Sequence, residues 1–266
     1  MQYKLIAADM DGTLLNPNRT ISKKTLTAIR QVLDMGVIFT VSTGRPMAGM
    51  RQYQEILQLK TPIITYNGGA IVMPDSGEVL YQKNLEPQAA ASVIYRGQVL
   101  DASMCIWSED KLYILREDAY TTQYAERAGG AILVGETEIA DIIRQGIGKI
   151  LWYDAPENVA MYQDALDRTP IEHVTYFTSS PAFLEIVDHQ VSKGHALQLL
   201  GAHHGISMAE MIAIGDGMND LTMLEYAGLG VAMGNASDTV KAAADVVTAS
   251  NADDGVAQAI ERFVLS

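Results

Sequence analysis

Cysteine is nearly absent. Cys105 stands alone among 266 residues, so no disulfide can form within the chain and no cysteine cluster can hold zinc. The core must therefore arise from packing, and a chain of this length buries enough surface for one large domain or two moderate ones without staples. Basic residues are also scarce, 19 against 32 acidic ones, and the resulting formal charge of −13 opposes nucleic-acid backbone and anionic lipid. Neither a nucleic acid nor a membrane is expected as a partner. Long apolar runs are missing too: Leu5 to Ala8 follows a single Lys4 and is broken by Asp9, far short of a signal-peptide core or a membrane span. The expected address is the cytoplasm. Because the overall field repels anions, an anionic ligand would have to be drawn in by a local cation or a metal ion.

The chain is rich, by contrast, in alternating strand and helix patterns. The apolar run ending at Asp9 has the character of a parallel strand covered on both faces. Ser22 is placed to cap a helix running to about Met35, Gly36 supplies its stop, and Val37 to Val41 is a second strand that ends in Ser42, Thr43 and Gly44. Pro46 favours a new helix start. The same style returns near the C-terminus, with a helix from Lys193 to about His204, a strand at Met211 to Ile214, a helix at Asp220 to Ala227 and a strand at Gly230 to Met233. Between about Lys83 and Val187, strand-like runs such as Met104 to Trp107 and Lys149 to Tyr153 alternate with helical patterns, and most of the tryptophan and tyrosine lies there. The expected architecture is α/β: a Rossmann-like doubly wound parallel-sheet core made of residues 1–82 and 188–266, with an α+β domain, residues 83–187, inserted into it.

Three expected strand ends carry polar clusters, and that edge of an open α/β sheet is where ligands bind. At the first, Asp9-Met10-Asp11-Gly12-Thr13 sets two carboxylates on one side if the extended geometry persists, so that one could attack phosphorus while the other handles a proton. Thr43-Gly44-Arg45 offers a hydroxyl, an accessible amide and a cation, groups suited to phosphate oxygens, although a loop before a proline-started helix explains the tripeptide as well. Gly215-Asp216-Gly217-Met218-Asn219-Asp220 comes directly after the third strand, and Asp220 is also placed to cap the next helix. Lys193 stands at a helix head, where a compact ammonium could screen a nucleophilic carboxylate from an incoming dianion. The adjacent His203 and His204 point about 100° apart on a helix and do not suit a shared metal.

These segments, in this order, resemble the four signature motifs of the haloacid dehalogenase superfamily. The surrounding Ile64-Thr65-Tyr66-Asn67-Gly68-Gly69, Ser192-Lys193-Gly194 and Gly230 to Ala236 are similar to its Cof-type sugar-phosphate phosphatases. Gly69 departs from that pattern, where alanine is more usual. The resemblance implies a large cap between the second and third motifs. It also implies Asp9 as nucleophile, Asp11 as general acid and base, and Mg2+ held by Asp9, Asp216 and the Asp11 backbone carbonyl. Phosphate would be held by the Met10 amide, Thr43, Gly44, Lys193 and Asn219. The expected reaction is hydrolysis of a small phosphorylated metabolite through an aspartyl-phosphate. A phosphomutase or other phosphotransferase on the same scaffold, and a phosphosugar-binding regulator without chemistry, remain open alternatives at this level; no motif speaks to oligomeric state.

Overall fold

The structure, a computed structural model, describes residues 2–266. It divides into two compact units, Met1–Tyr81 with Ser192–Ser266, and Gln82–Val191. The second unit is thus longer at its end than the span 83–187, because its last strand continues to Asp188 and the chain stays with it to Val191.

In the first unit the chain runs through β1 (Leu5–Ala8), α1 (Lys23–Asp34), β2 (Ile38–Val41), α2 (Arg51–Leu57), β3 (Ile63–Thr65), β4 (Ala70–Val72) and β5 (Val79–Gln82). Ser22 caps α1, its side chain accepting from the Thr25 N–H at 3.0 Å, and Gly36 ends it with a φ of +82°, a left-handed stop that a side chain would resist. Pro46 leads first into a 3-10 turn, Met47–Met50, and only then into α2.

The second unit contains α3 (Pro87–Val99), β6 (Ser103–Ser108), β7 (Lys111–Ile114), α4 (Ala119–Ala128), β8 (Ile132–Leu133), α5 (Glu136–Gln145), β9 (Lys149–Tyr153), α6 (Pro156–Arg168), β10 (Val174–Ser180) and β11 (Phe183–Asp188). Its sheet has the order β10-β11-β9-β6-β7-β8, antiparallel except for the short pair of β7 with β8. Apolar residues of α3, α5 and α6, among them Val93, Ile142 and Tyr162, pack with Ile106, Ile150, Trp152 and Ile186 of the sheet. Side chains alternate across a strand, so the neighbours of Ile150 and Ile186 point away from these helices. Two of those neighbours, Lys149 and Glu185, form a buried ion pair at 3.0 Å.

The chain then returns to the first unit with α7 (Lys193–His204), β12 (Met211–Gly215), α8 (Leu221–Tyr226), β13 (Leu229–Ala232), α9 (Asp238–Ala243), β14 (Val246–Val247) and α10 (Gly255–Ile260). The main sheet, β14-β13-β12-β1-β2, is parallel throughout. All four residues of β1 are fully buried and divide by parity between two cores. Ile6 and Ala8 join Ile29, Val32 and Ile260 on one face, while Leu5 and Ala7 join Leu197, Leu200 and Leu224 on the other. Helices therefore cover both faces, the doubly wound arrangement expected of a strand with no polar side. Each such Leu or Ile contributes about 1.5–3 kcal/mol by its burial, so β1 is a rigid support for the residue at its carboxyl end.

Candidate active site

That residue is Asp9, at the carboxyl edge of β1, the strand between β2 and β12. Extended geometry stops there. The Leu14 N–H donates to the Asp9 carbonyl at 3.2 Å and the Leu15 N–H to that of Met10 at 2.9 Å, while Gly12 takes a φ of +88°. The condition on which Asp9 and Asp11 would share one side is therefore not met, and Asp9 is buried while Asp11 is exposed. A Cβ on Gly12 would also collide with the Asp216 carboxylate, so glycine is required there twice over. The Met10 side chain is packed in the core, which leaves only its main chain for a ligand.

Asp9 accepts from the Lys193 ammonium at 2.5 Å, and Lys193 donates equally to Asp220 at 2.5 Å. Lys193 is fully buried at the first position of α7, whose N-cap Ser192 accepts from the His195 N–H. Burial alone would lower its pKa, but the Asp220 and Asp9 carboxylates outweigh that and hold it above the ordinary lysine range. Asp9 is pushed well above the usual carboxylate range by burial, with the Lys193 charge opposing the shift and Asp220 and Asp216 adding to it.

The loop after β12 supplies the other acids. Asp220 receives the Asp216 and Gly217 N–H groups at 2.9 and 2.8 Å on one oxygen and Lys193 on the other. It does not cap α8 through its side chain as expected, and that helix starts one residue later, at Leu221. Asp216 accepts from the Thr13 hydroxyl at 2.7 Å and from Asn235 at 3.4 Å. Its carboxyl is pushed up to about 6 by burial, with the Thr13 hydrogen bond opposing and the Asp220 charge reinforcing. One oxygen from each of Asp9, Asp216 and Asp220 lies within 4.8 Å of the others, a grouping that could hold a metal ion. The Asp11 side chain is not in that group.

Asp11 is instead gripped by Arg45, whose Nε and Nη2 donate to its two oxygens at 2.7 and 2.6 Å. Arg45 lies over the Tyr53 ring, 5.1 Å from its centre, and the Asp11 carboxylate raises its pKa against the opposing effect of burial. The cation whose type suits phosphate oxygens is thus bound to a carboxylate. Thr43 is buried beside it, its hydroxyl accepting the Arg45 N–H at 3.1 Å. Asn219 donates through Nδ2 to the Asn67 carbonyl oxygen at 2.9 Å, and Gly44 lies against the same carboxamide. Asp9, Thr43, Gly44, Lys193, Asp216 and Asn219, spread over 211 positions of sequence, thus meet at one end of one sheet. Sequence reasoning did not assign Thr13, Asn67, Asp220's hold on Lys193, or Asn235, which also donates to the Gly12 carbonyl at 2.9 Å. The signal for Asp220 was its four-residue spacing from Asp216, which a turn brings back onto the loop.

Comparison with known proteins identifies the family. A model of the haloacid dehalogenase-like hydrolase family matches residues 6–260. Two Bacillus subtilis proteins, the 5-amino-6-(5-phospho-D-ribitylamino)uracil phosphatases YitU and YcsE, are 32% and 33% identical, with 97% of this chain and 97% of YitU aligned, and 100% of this chain and 97% of YcsE. A crystal structure of a haloacid dehalogenase-like hydrolase from Bacteroides thetaiotaomicron superposes with a TM-score of 0.84 at 32% identity, covering 98% of this chain and 99% of that one. The chain belongs to the haloacid dehalogenase-like hydrolases and is an enzyme of their phosphatase group.

Proposed function

We propose that the chain is a magnesium-dependent phosphatase that hydrolyses small phosphorylated metabolites, sugar phosphates foremost, through a phosphoryl group carried on Asp9. The observation that carries this reading is the seating of Asp9 on Lys193 beside Asp216, with Asp11 on a separate support two residues away. A binding protein needs neither a buried carboxylate at a strand end nor a second one held two residues away. The names of YitU and YcsE, which specify a ribityl phosphate, support an ester of a polyol or sugar.

The donor set fits a hard divalent ion, because every candidate ligand is an oxygen and the Asp216 carboxyl, raised by burial and by Asp220, is in want of a cation. Asp9, Asp216 and the Asp11 carbonyl would hold Mg2+, and Asp220, with both oxygens engaged, would steady Lys193 and the loop. When bound, the ion supplies charge neutralisation for the phosphoryl oxygens. Asp9 attacks phosphorus in line, and Lys193 favours its ionised form and offsets charge on the transferring group. Asp11 gives a proton to the leaving alkoxide, then takes one from the water that cleaves the acyl phosphate. Since Arg45 occupies both of its oxygens, Asp11 must release Arg45 before it can face the leaving group. The Met10 amide, Thr43, Gly44 and Asn219 would hold the phosphate oxygens. These groups see only the phosphoryl end, so we assign choice among leaving groups to the inserted unit, residues 83–187 as read from the sequence.

The test is phosphate release from a panel of sugar phosphates with magnesium, together with transfer of radiolabelled phosphate to the protein. Wild type is expected to turn over and Asp9→Asn to lose both activities, by at least about 100-fold in rate, because an amide cannot form the acyl phosphate. Retention of label by Asp9→Asn would refute the nucleophile.

A further inference from the structure

The loop joining β3 to β4 has three consecutive left-handed residues, Tyr66, Asn67 and Gly68, with φ of +53°, +58° and +99°. Glycine tolerates this and asparagine accepts it, but tyrosine resists it because its Cβ crowds the carbonyl. Strain of this kind persists only where the surroundings enforce it. Here they do so on three sides. The Tyr66 N–H donates to the Arg45 carbonyl at 3.1 Å and the Asn67 N–H to the Thr43 carbonyl at 2.9 Å, which fastens the loop along the Thr43–Arg45 segment. Gly68 lies so close to the Ser192 carbonyl that any Cβ there would collide with it. On the third side the Asn67 carboxamide, 2% exposed, accepts from Asn219 Nδ2 at 2.9 Å.

Gly44 completes the fit, since a Cβ at that position would stand 2.8 Å from Asn67 Oδ1. The absent side chain at position 44 is therefore what admits the carboxamide, whatever else its amide does. A hairpin turn alone would need none of this, because four residues between paired Thr65 and Ala70 could turn with glycine and without a buried amide.

We infer that Asn67 is a positioning residue for phosphate: it fixes the Asn219 carboxamide against the Thr43–Gly44 loop, using one N–H of Asn219 and aiming the other at a phosphate oxygen. The inference rests on the reading of the site as a phosphate site, and it adds a residue that touches neither phosphorus nor metal. Without Asn67 the Asn219 side chain can rotate, and the phosphate loses a donor held in register with Thr43.

The experiment is a double-mutant cycle. Asn67→Gly keeps a backbone that accepts the left-handed turn and removes the carboxamide; Asn219→Ala removes the group it is said to hold. Two readouts are taken with magnesium present: kcat/KM for the best sugar phosphate, and the dissociation constant of inorganic phosphate by calorimetry, with the thermal midpoint recorded alongside. Asn67→Gly is expected to lower kcat/KM by roughly tenfold to a hundredfold, the size of effect that small misplacements produce, and to weaken phosphate binding in parallel. In the Asn219→Ala background the same change should cost less than about threefold, because the two residues act as one. Additive losses, or an Asn67→Gly enzyme equal to wild type, overturn the inference. If the glycine variant does not fold, Asn67→Ser removes the carboxamide with a smaller side chain in the same space; non-additivity with Asn219→Ala is again required, and additivity overturns the proposal. Should wild type hydrolyse no ester yet bind phosphate with the coupling intact, the hydrolytic reading fails and this one stands. If it binds no phosphate, both fail.

Discussion

Lys193→Met tests the electrostatics of the site with a magnitude that can be worked out beforehand. The ammonium is fully buried and sits 2.5 Å from oxygens of both Asp9 and Asp220. Methionine is one atom shorter, fills most of the same space and removes the charge, leaving Asp9, Asp216 and Asp220 facing one another. Breaking a buried pair by deleting one partner costs about 3–5 kcal/mol. Protonation of the orphaned acid limits the cost: placing a proton at pH 7 on a carboxyl of ordinary pKa takes about 4 kcal/mol, and at pH 5 about 1.5 kcal/mol. Linkage fixes the sign. The orphan's folded pKa lies above its unfolded value, so the penalty is absent below the ordinary carboxylate range and grows as pH rises. At neutral pH the thermal midpoint, measured by circular dichroism in chelator, should fall by roughly 6–20 °C for a unit of this size. At pH 5 less than half of that deficit should remain, and added magnesium at pH 7 should narrow it. Initial rates should drop by about 100-fold or more, as when a preorganised charge is removed from a transition state. A deficit equal at the two pH values, or under about 2 °C at pH 7, would show that Lys193 does not hold these carboxylates ionised.

The metal makes a second prediction through Asp216: with its carboxyl pushed up to about 6, bound magnesium must displace a proton, so calorimetric affinity should rise by up to about tenfold per pH unit below 6 and level off above it. Chelator should abolish turnover, magnesium should restore it, and calcium should substitute poorly because its looser shell misplaces the attacking carboxylate; flat affinity from pH 5 to 7 refutes the site. Asp11→Asn should slow alkyl phosphates by about 100-fold or more while sparing aryl or acyl phosphates, whose leaving groups need no proton. Equal losses on both substrate types would remove Asp11 from the proton-transfer role. In the other unit, Glu185→Gln leaves the buried Lys149 charge, which Glu185 holds above the ordinary lysine range, without its counter-ion. That unit should lose about 3–5 kcal/mol in a denaturant titration, and Glu185→Gln with Lys149→Met should recover much of it.

The core fold was legible because its elements are dictated locally. A short unbroken apolar run ended by an acid and turn residues suits a strand covered on both faces, and Ser22 with Gly36 marks both ends of α1 without reference to anything distant. Site positions at strand ends were legible for a related reason, since the carboxyl edge of a parallel sheet is set by topology. Partners were not. That Arg45 turns to Asp11 depends on the chain coiling immediately after Asp9, and periodicity carries no information on that coil. Asp220 looked like a helix cap because aspartate commonly is one; its carboxylate instead closes over its own loop and takes up Lys193, 27 residues earlier in sequence. The strained turn at Tyr66 and Asn67 is invisible to propensity, which argues against it at Tyr66.

Charge counting ties the site to the composition. Asp9, Asp11, Asp216 and Asp220 gather in one region where, among the described residues, Lys193 and Arg45 offset them, and each of those cations is already bound to a carboxylate. Counted formally, two negative charges are left over, in a chain whose overall charge is −13. A phosphate dianion would meet repulsion from the protein as a whole and from the site itself. On the proposed reading a divalent ion would cancel the local excess, and the neutral donors Thr43, the Gly44 amide and Asn219 would bind phosphate oxygens without adding charge of their own. This is why donor geometry, which Asn67 and Gly44 control, matters more here than further basic residues would: a third lysine would pair with a carboxylate, whereas an oriented amide has no competing partner once Asn67 has taken its other N–H.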